Sequence, residues 1–275
     1  MKKYIPKIVG SYLNIVSYIS ADYAANKALH LFSKPRKGSI SERQASFLKT
    51  ANQSTLSYNN FNIAVYHWKG NGPSILLVHG WESNSARWKR KIKHFIKEGY
   101  AIYALDAPAH GGSGSKKFNA LLYAEFINVV VNKYAPKILI GHSVGGMASV
   151  FFQQKYQNEN IQKIVLLAAP SEFKGVLKQY INMLGYNKKI VDKLDTVILR
   201  KFGAKPDAFS TSEFIKDVDA EGLIIHDKND TIIPFSDAKL IEKNLQKGKL
   251  VETSGLGHSL NHNTVSDRIL EFIKD

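Results

Sequence analysis

This chain of 275 residues contains no cysteine. Disulfides, a cysteine nucleophile and a thiolate metal site are therefore excluded, while the redox compartment stays open. It also lacks any unbroken apolar run of about 18 residues, the length a bilayer-spanning helix needs. Arginine is scarce, with six among 38 basic residues (36, 43, 87, 90, 200 and 268). Acidic residues number 23, which leaves a net charge of +15. Such an excess attracts nucleic acid, anionic lipid or acidic substrates. No nucleic-acid-binding motif accompanies it, so the bulk reads as a lysine-rich solvated surface and no nucleic-acid partner is expected. The densest run, Lys89-Arg90-Lys91 with Lys93 and Lys97, is punctuated by Ile92, Phe95 and Ile96. That spacing predicts a helix with one buried stripe and a wet basic face. Internal repeats and low-complexity tracts are also missing.

What is present fits a globular protein. Hydrophobic residues make up 44% of the chain. The length suits one large α/β domain or two small ones. Met1-Lys2-Lys3 and the apolar-leaning residues after it have the outline of a signal peptide, but Lys7, Ser11, Asn14 and Ser17 interrupt it. Ile5, Ile8, Val9, Tyr12, Val16 and Ile19 fall at helical spacing instead. The leading expectation is an amphipathic helix continuing towards Leu31 and docked on the domain. Peripheral membrane contact through residues 1–31 remains an alternative reading of the same stripe.

Residues 33–41 form a Pro/Gly/basic turn region, a boundary signal. Residues 55–58 and 61–68 flank Asn59-Asn60 and predict a β-hairpin. From Ser74 strand-like and helix-like runs alternate. Ile75-Leu76-Leu77-Val78 is apolar throughout, as in a parallel strand buried on both faces. Further strands are expected near 101–105, 138–140, 164–168, 223–226 and 249–252. Helices are expected near 88–97, 121–131, 147–156, 238–245 and 265–273. This alternation predicts an α/β fold with a doubly wound, mostly parallel central sheet. One stretch breaks the rhythm: the residues between Ala169 and Leu223 have no strand and carry two amphipathic stripes, one from Phe173 to Leu184 and one from Ile190 to Phe202. It reads as a helical lid insertion of about 171–217. The expected organisation is therefore 1–40 as N-terminal helix and linker, and 41–275 as a single domain that includes the lid.

The chemistry centres on Gly141-His142-Ser143-Val144-Gly145-Gly146, between a strand-like and a helix-like run. Gly-x-Ser-x-Gly in that setting is the pattern of a nucleophile elbow, a turn so sharp that flanking side chains would collide. Serine needs a base to take its proton, and the base needs an orienting acid. Downstream stand His226-Asp227-Lys228-Asn229-Asp230 after one predicted strand and Gly255-Leu256-Gly257-His258 after the last. Upstream stand His79-Gly80-Trp81 and Asp106-Ala107-Pro108-Ala109-His110-Gly111-Gly112-Ser113, each after a predicted strand.

Over roughly residues 55–275 these motifs resemble the α/β-hydrolase superfamily, specifically its serine esterase and lipase-like members. The resemblance implies Ser143 as nucleophile, His258 as base and Asp230 as acid, with the backbone N–H groups of Trp81 and Val144 as oxyanion hole. Asp227 and Glu172 remain rivals to Asp230. Ser143 as a plain helix N-cap and His258 as a backbone-satisfied loop residue are the bland alternatives. Trp81 and Glu82 depart from triple-glycine oxyanion loops, and Glu221 stands where relatives often have proline. His79, His110 and His142 are expected to brace loops, and no metal or other cofactor is expected. Trp81, Phe173, Leu177 and Tyr180 are the expected substrate-lining residues. The implied activity is hydrolysis of small to medium apolar esters in the cytoplasm, membrane association being left open. Thioesterase, lactonase, acyltransferase, serine peptidase and C–C hydrolase chemistry are alternatives, as is a non-catalytic binder of hydrophobic ligand. Oligomeric state is not legible.

Overall fold

The computed structural model describes residues 5–274. Eight strands are hydrogen-bonded into one sheet: β1 (Asn52–Tyr58), β2 (Phe61–Trp68), β3 (Ser74–Val78), β4 (Ala101–Leu105), β5 (Ile138–His142), β6 (Lys163–Leu167), β7 (Glu221–Asp227) and β8 (Gly248–Thr253). Their spatial order is β1-β2-β4-β3-β5-β6-β7-β8. β1 pairs antiparallel with β2, and β2 antiparallel with β4; every later pairing is parallel. The β1–β2 hairpin turns at Asn59, whose φ of 50° is a conformation asparagine tolerates better than most residues.

Eleven α-helices are described: α1 (Ile5–Ile19), α2 (Ala21–Phe32), α3 (Glu42–Leu48), α4 (Lys89–Lys97), α5 (Ala120–Tyr134), α6 (Val144–Tyr156), α7 (Phe173–Leu184), α8 (Lys188–Phe202), α9 (Thr211–Phe214), α10 (Phe235–Asn244) and α11 (Asn263–Lys274). None of the described helices is long and apolar enough to cross a membrane. The chain divides into two units, one of Met1–Lys34 with Glu172–Ser210 and one of Pro35–Ser171 with Thr211–Asp275.

The larger unit holds the sheet. Ile75 and Leu77 of β3, Ile102 of β4, Ile140 of β5 and Ile225 of β7 share a core with Phe47, Trp88, Phe95, Ile269 and Phe272 of the flanking elements. Leu76 and Val78 alternate to the opposite face and are equally buried, which is why this strand reads as a continuous apolar run. The parallel strands finish in register: Val78 pairs with Gly141, His142 with Leu167, and Asp227 with Thr253. Loops leaving their carboxyl ends therefore start from one rim, where open α/β sheets bind their ligands.

The smaller unit packs α1, α2, α7 and α8 around Leu13, Ala24, Ala28, Leu177, Leu184, Ile190, Leu194 and Val197. The expected single N-terminal helix is broken at Ser20, which sits in an extended conformation and caps α2 by accepting from the Tyr23 N–H at 3.2 Å. Sequence spacing drew a boundary at residue 40 and assigned 171–217 to the sheet domain; the contacts group 1–34 with 172–210 instead. The reason is local. Asn187, the N-cap of α8, takes its own N–H to Asn14 Oδ1 at 2.8 Å, and Asn14 Nδ2 donates to the Gly185 carbonyl at 2.8 Å. Gly10 lies so close to the end of α7 that an added Cβ would stand 1.7 Å from the Leu184 carbonyl oxygen.

Candidate active site

Ser143 is where β5 turns into α6. Its φ of 54° and ψ of −130° are strained for a residue with a side chain. The glycines around it explain how the turn closes. A Cβ on Gly141 would lie 2.5 Å from Gly146 Cα, and one on Gly145 would lie 2.4 Å from the His79 carbonyl oxygen. We expect Gly145→Ala to destabilise the fold by about 1–3 kcal/mol through this overpacking, read as a lowered urea midpoint at unchanged m-value. Ser143 starts α6 without capping it through its side chain, so the helix N-cap reading does not account for this residue.

The hydroxyl instead meets His258, on the loop after β8. Ser143 Oγ lies 3.1 Å from His258 Nε2, and His258 Nδ1 lies 2.8 Å from Asp230 Oδ2. A carboxylate can only accept, so the Nδ1 proton points at Asp230 and Nε2 faces Ser143 as the acceptor of its proton. The other oxygen of Asp230 accepts the N–H groups of Ile232 and Ile233 at 2.8 and 3.0 Å. His226 Nε2 approaches Asp230 Oδ2 at 3.4 Å while donating to the Ile233 carbonyl at 3.0 Å. Burial alone would raise the Asp230 pKa. The donors His226, His258, Ile232 and Ile233 outweigh it and hold the carboxyl well below the usual carboxylate range.

Asp227, the nearer rival, is engaged elsewhere. It accepts from Asn229 N at 3.0 Å, Thr253 Oγ1 at 2.8 Å and Leu256 N at 2.9 Å. These bonds overcome its burial penalty and also lower its pKa. Its role is to tie the loop after β7 to the loop that carries His258. Glu172 belongs to the other unit, at the start of α7. The sign of the pH dependence follows. Carboxyls whose folded pKa is depressed contribute stability that is present above their unfolded pKa, about 4, and lost as pH falls below it. Asp230→Asn and Asp227→Asn should each flatten the acid limb of a stability-against-pH curve followed by thermal unfolding.

Three further histidines brace loops. His142 Nε2 donates to the His258 carbonyl at 2.8 Å, and burial drives its pKa well down, so it acts as a neutral donor. His79 Nδ1 donates to the Gly80 carbonyl at 2.8 Å and its Nε2 accepts from Ala107 N at 2.9 Å, with burial lowering its pKa to about 3. His110 Nδ1 donates to the Pro108 carbonyl and its Nε2 accepts from Glu82 N at 3.0 Å. Asp106 is fully buried and receives Ser85 N, Ser85 Oγ, Gly112 N and Tyr66 OH, which joins the loops after β3 and β4. Burial leads and pushes its pKa up.

Two groups border the nucleophile. A Cβ on Gly80 would lie 3.0 Å from Ser143 Cβ, so the backbone entering Trp81 runs directly beside it. Val144 is the first residue of α6, and its N–H has no acceptor one turn earlier in the helix. The Trp81 ring is half-buried, edge-on to His110 at 5.3 Å and Phe118 at 5.2 Å. Phe173, Leu177 and Tyr180, expected from the sequence to line the substrate, lie in the smaller unit. Leu177 is buried in the core of the smaller unit, and Phe173 and Tyr180 pack against Phe32 at 5.8 and 4.9 Å.

Sequence reasoning missed two supports. The basic face of α4 is not uniformly wet: Lys91 is 2% exposed and donates to the Leu260 carbonyl at 2.8 Å. Burial, with Arg87 and Arg90 nearby, lowers its pKa to about 7. One turn earlier Arg87 donates to the Ser259 carbonyl at 3.1 Å. Both grip the residues that follow His258. The signal was their spacing of four, visible only once the histidine loop is known to cross that face. His226 beside Asp230 is the second.

The match to known proteins agrees with this architecture. The model of a family described as alpha/beta hydrolase fold matches residues 73–197. That match spans somewhat under half of the chain, which has the α/β-hydrolase fold. A bifunctional esterase/perhydrolase of Acinetobacter calcoaceticus is 25% identical over 253 residues, covering 74% of this chain and 92% of that one. The crystal structure of a bromoperoxidase from Bacillus anthracis superposes with a TM-score of 0.63 at 18% identity, over 82% of this chain and 100% of that one. An esterase from Exiguobacterium antarcticum superposes with a TM-score of 0.61 at 16% identity, over 78% and 96%. At these identities the structural likenesses speak to the fold, which hosts many chemistries.

Proposed function

We propose that this hydrolase cleaves carboxylic esters of small to medium apolar substrates through an acyl-enzyme on Ser143. The observation that carries the reading is the aligned chain of contacts from Ser143 Oγ to His258 Nε2 at 3.1 Å and from His258 Nδ1 to Asp230 Oδ2 at 2.8 Å. Ser143 Oγ attacks the ester carbonyl as its proton passes to His258 Nε2. The oxyanion of the tetrahedral intermediate is held by the N–H groups of Val144 and Trp81, the former at a helix N-terminus. Collapse breaks the C–O bond, and the alkoxide leaves as alcohol with the proton from His258. Water then gives a proton to His258, attacks the acyl carbonyl and releases the acid, and Ser143 recovers its proton. Asp230 keeps the imidazole in the required tautomer and stabilises its charged form. No step calls for a cofactor. The half-buried Trp81 ring offers an apolar wall for the acyl chain.

Support also comes from the relative described as an esterase/perhydrolase, which carries this reaction type at 25% identity. The test is turnover of p-nitrophenyl esters from acetate to palmitate, and the preferred chain length sizes the acyl pocket. Absence of turnover on all of them, with no labelling by a fluorophosphonate, would favour a non-catalytic binder of hydrophobic ligand.

A further inference from the structure

Helix α1 is fixed with its larger apolar residues outward. Ile5, Ile8, Tyr12, Ile15 and Ile19 are 53, 66, 63, 69 and 89% exposed. Their spacing of three and four puts them on one face of the helix. On the inward face Gly10, Leu13 and Ser17 are buried. This orientation is specified rather than incidental. Gly10 abuts the Leu184 carbonyl, Asn14 Nδ2 donates to the Gly185 carbonyl, and Asn187 donates to Asn14 and to Ser17 Oγ. Turning α1 to bury the isoleucines would break every one of these contacts and leave the part-buried Asn14 and Asn187 amides without these partners. A contiguous apolar face held outward marks an interaction surface.

We infer that the outer face of α1 docks this protein on an anionic lipid bilayer, a property separate from the proposed ester chemistry. Charge selects the occupant. The smaller unit, 1–34 with 172–210, has thirteen Lys and Arg against five Asp and Glu, so it carries +8 of the chain's +15. Two such units would repel each other across a self-association interface, whereas an anionic surface attracts them. The border of the face has the chemistry of a headgroup region. Lys189 Nζ lies 5.0 Å from the centre of the Tyr18 ring, which is 74% exposed. Tyrosine with lysine beside it suits the level where hydrocarbon meets phosphate. At 15 residues α1 is about 22 Å long by its rise, so it lies in the plane of the membrane instead of spanning it.

The test is co-sedimentation of the full chain with vesicles of phosphatidylserine and phosphatidylcholine, and with phosphatidylcholine alone. Wild type should pellet with the anionic vesicles, release in high salt, and bind the neutral ones far more weakly. Ile8→Glu with Ile15→Glu should weaken the anionic binding by roughly tenfold or more. Both positions are exposed, and thermal unfolding checks that the variant is folded; Ile8→Ser with Ile15→Ser is the milder second variant. Sedimentation does not depend on turnover, so a failure of the ester reading would leave this result standing. Three outcomes would overturn the inference. Wild type could stay in the supernatant, the folded variants could bind as wild type does, or light scattering could show a dimer that the variants convert to monomer without any vesicle binding.

Discussion

Ser143→Ala should lower kcat/KM on the best p-nitrophenyl ester by about 10⁵-fold or more while leaving the thermal midpoint close to wild type. The two halves of this expectation have separate causes. The hydroxyl is the atom that forms the acyl bond, so its loss removes the covalent route altogether. The fold loses little, because the Ser143 side chain does not cap α6 and, among the described residues, its side-chain partner is His258 at 3.1 Å. The strained backbone is retained, since alanine at a φ of 54° meets the same steric cost as serine. Residual hydrolysis above the uncatalysed rate would come from the Val144 and Trp81 N–H groups, which the substitution leaves in place. Unimpaired turnover in the variant would remove Ser143 from the reaction.

Asp230→Asn should cost about 10⁴-fold in kcat, with KM little changed. The amide can donate where the carboxylate could only accept, so it favours the imidazole tautomer with its proton on Nε2, facing Ser143 instead of receiving from it. It also forfeits stabilisation of the imidazolium. Asp227→Asn makes the contrast. Asp227 joins Thr253 Oγ1 and Leu256 N to the loop after β7, so its loss should act mainly on loop stability, lowering the thermal midpoint with a smaller effect on kcat. A reversal of this order, with Asp227→Asn the slower enzyme, would move the acid to Asp227. The two variants therefore settle by kinetics a choice that lies within three residues of sequence.

Much of the sheet was legible because its signals are local. An unbroken run such as Ile75-Leu76-Leu77-Val78 has one stable setting, a strand covered on both faces, and β3 lies there. The elbow was legible for the same reason: strand, tight glycine frame and helix are adjacent in the chain. The features that escaped depend on contacts between distant segments. Nothing within residues 1–34 announces that Asn14 will meet Asn187 or that Ala24 and Ala28 will share a core with Ile190 and Leu194, and these contacts group α1 and α2 with α7 and α8. The break at Ser20 was readable in principle, since serine before Ala-Asp is a capping signal, but the apolar periodicity running through it masked the cap. Lys91 was misplaced on a wet face because helical spacing says which residues share a side, not what crosses it. An apolar stripe such as Phe173, Leu177 and Tyr180 has the same pattern whether it meets a ligand or a neighbouring helix.

The acyl-enzyme on Ser143 can be trapped and weighed. Turnover of p-nitrophenyl butyrate is quenched with acid during the steady state, and the protein is digested and its peptides weighed. One butyryl group is expected on the peptide that contains Ser143, and none in Ser143→Ala. An enzyme that turns the ester over with no acyl group on Ser143, or with the group on another residue, would contradict it.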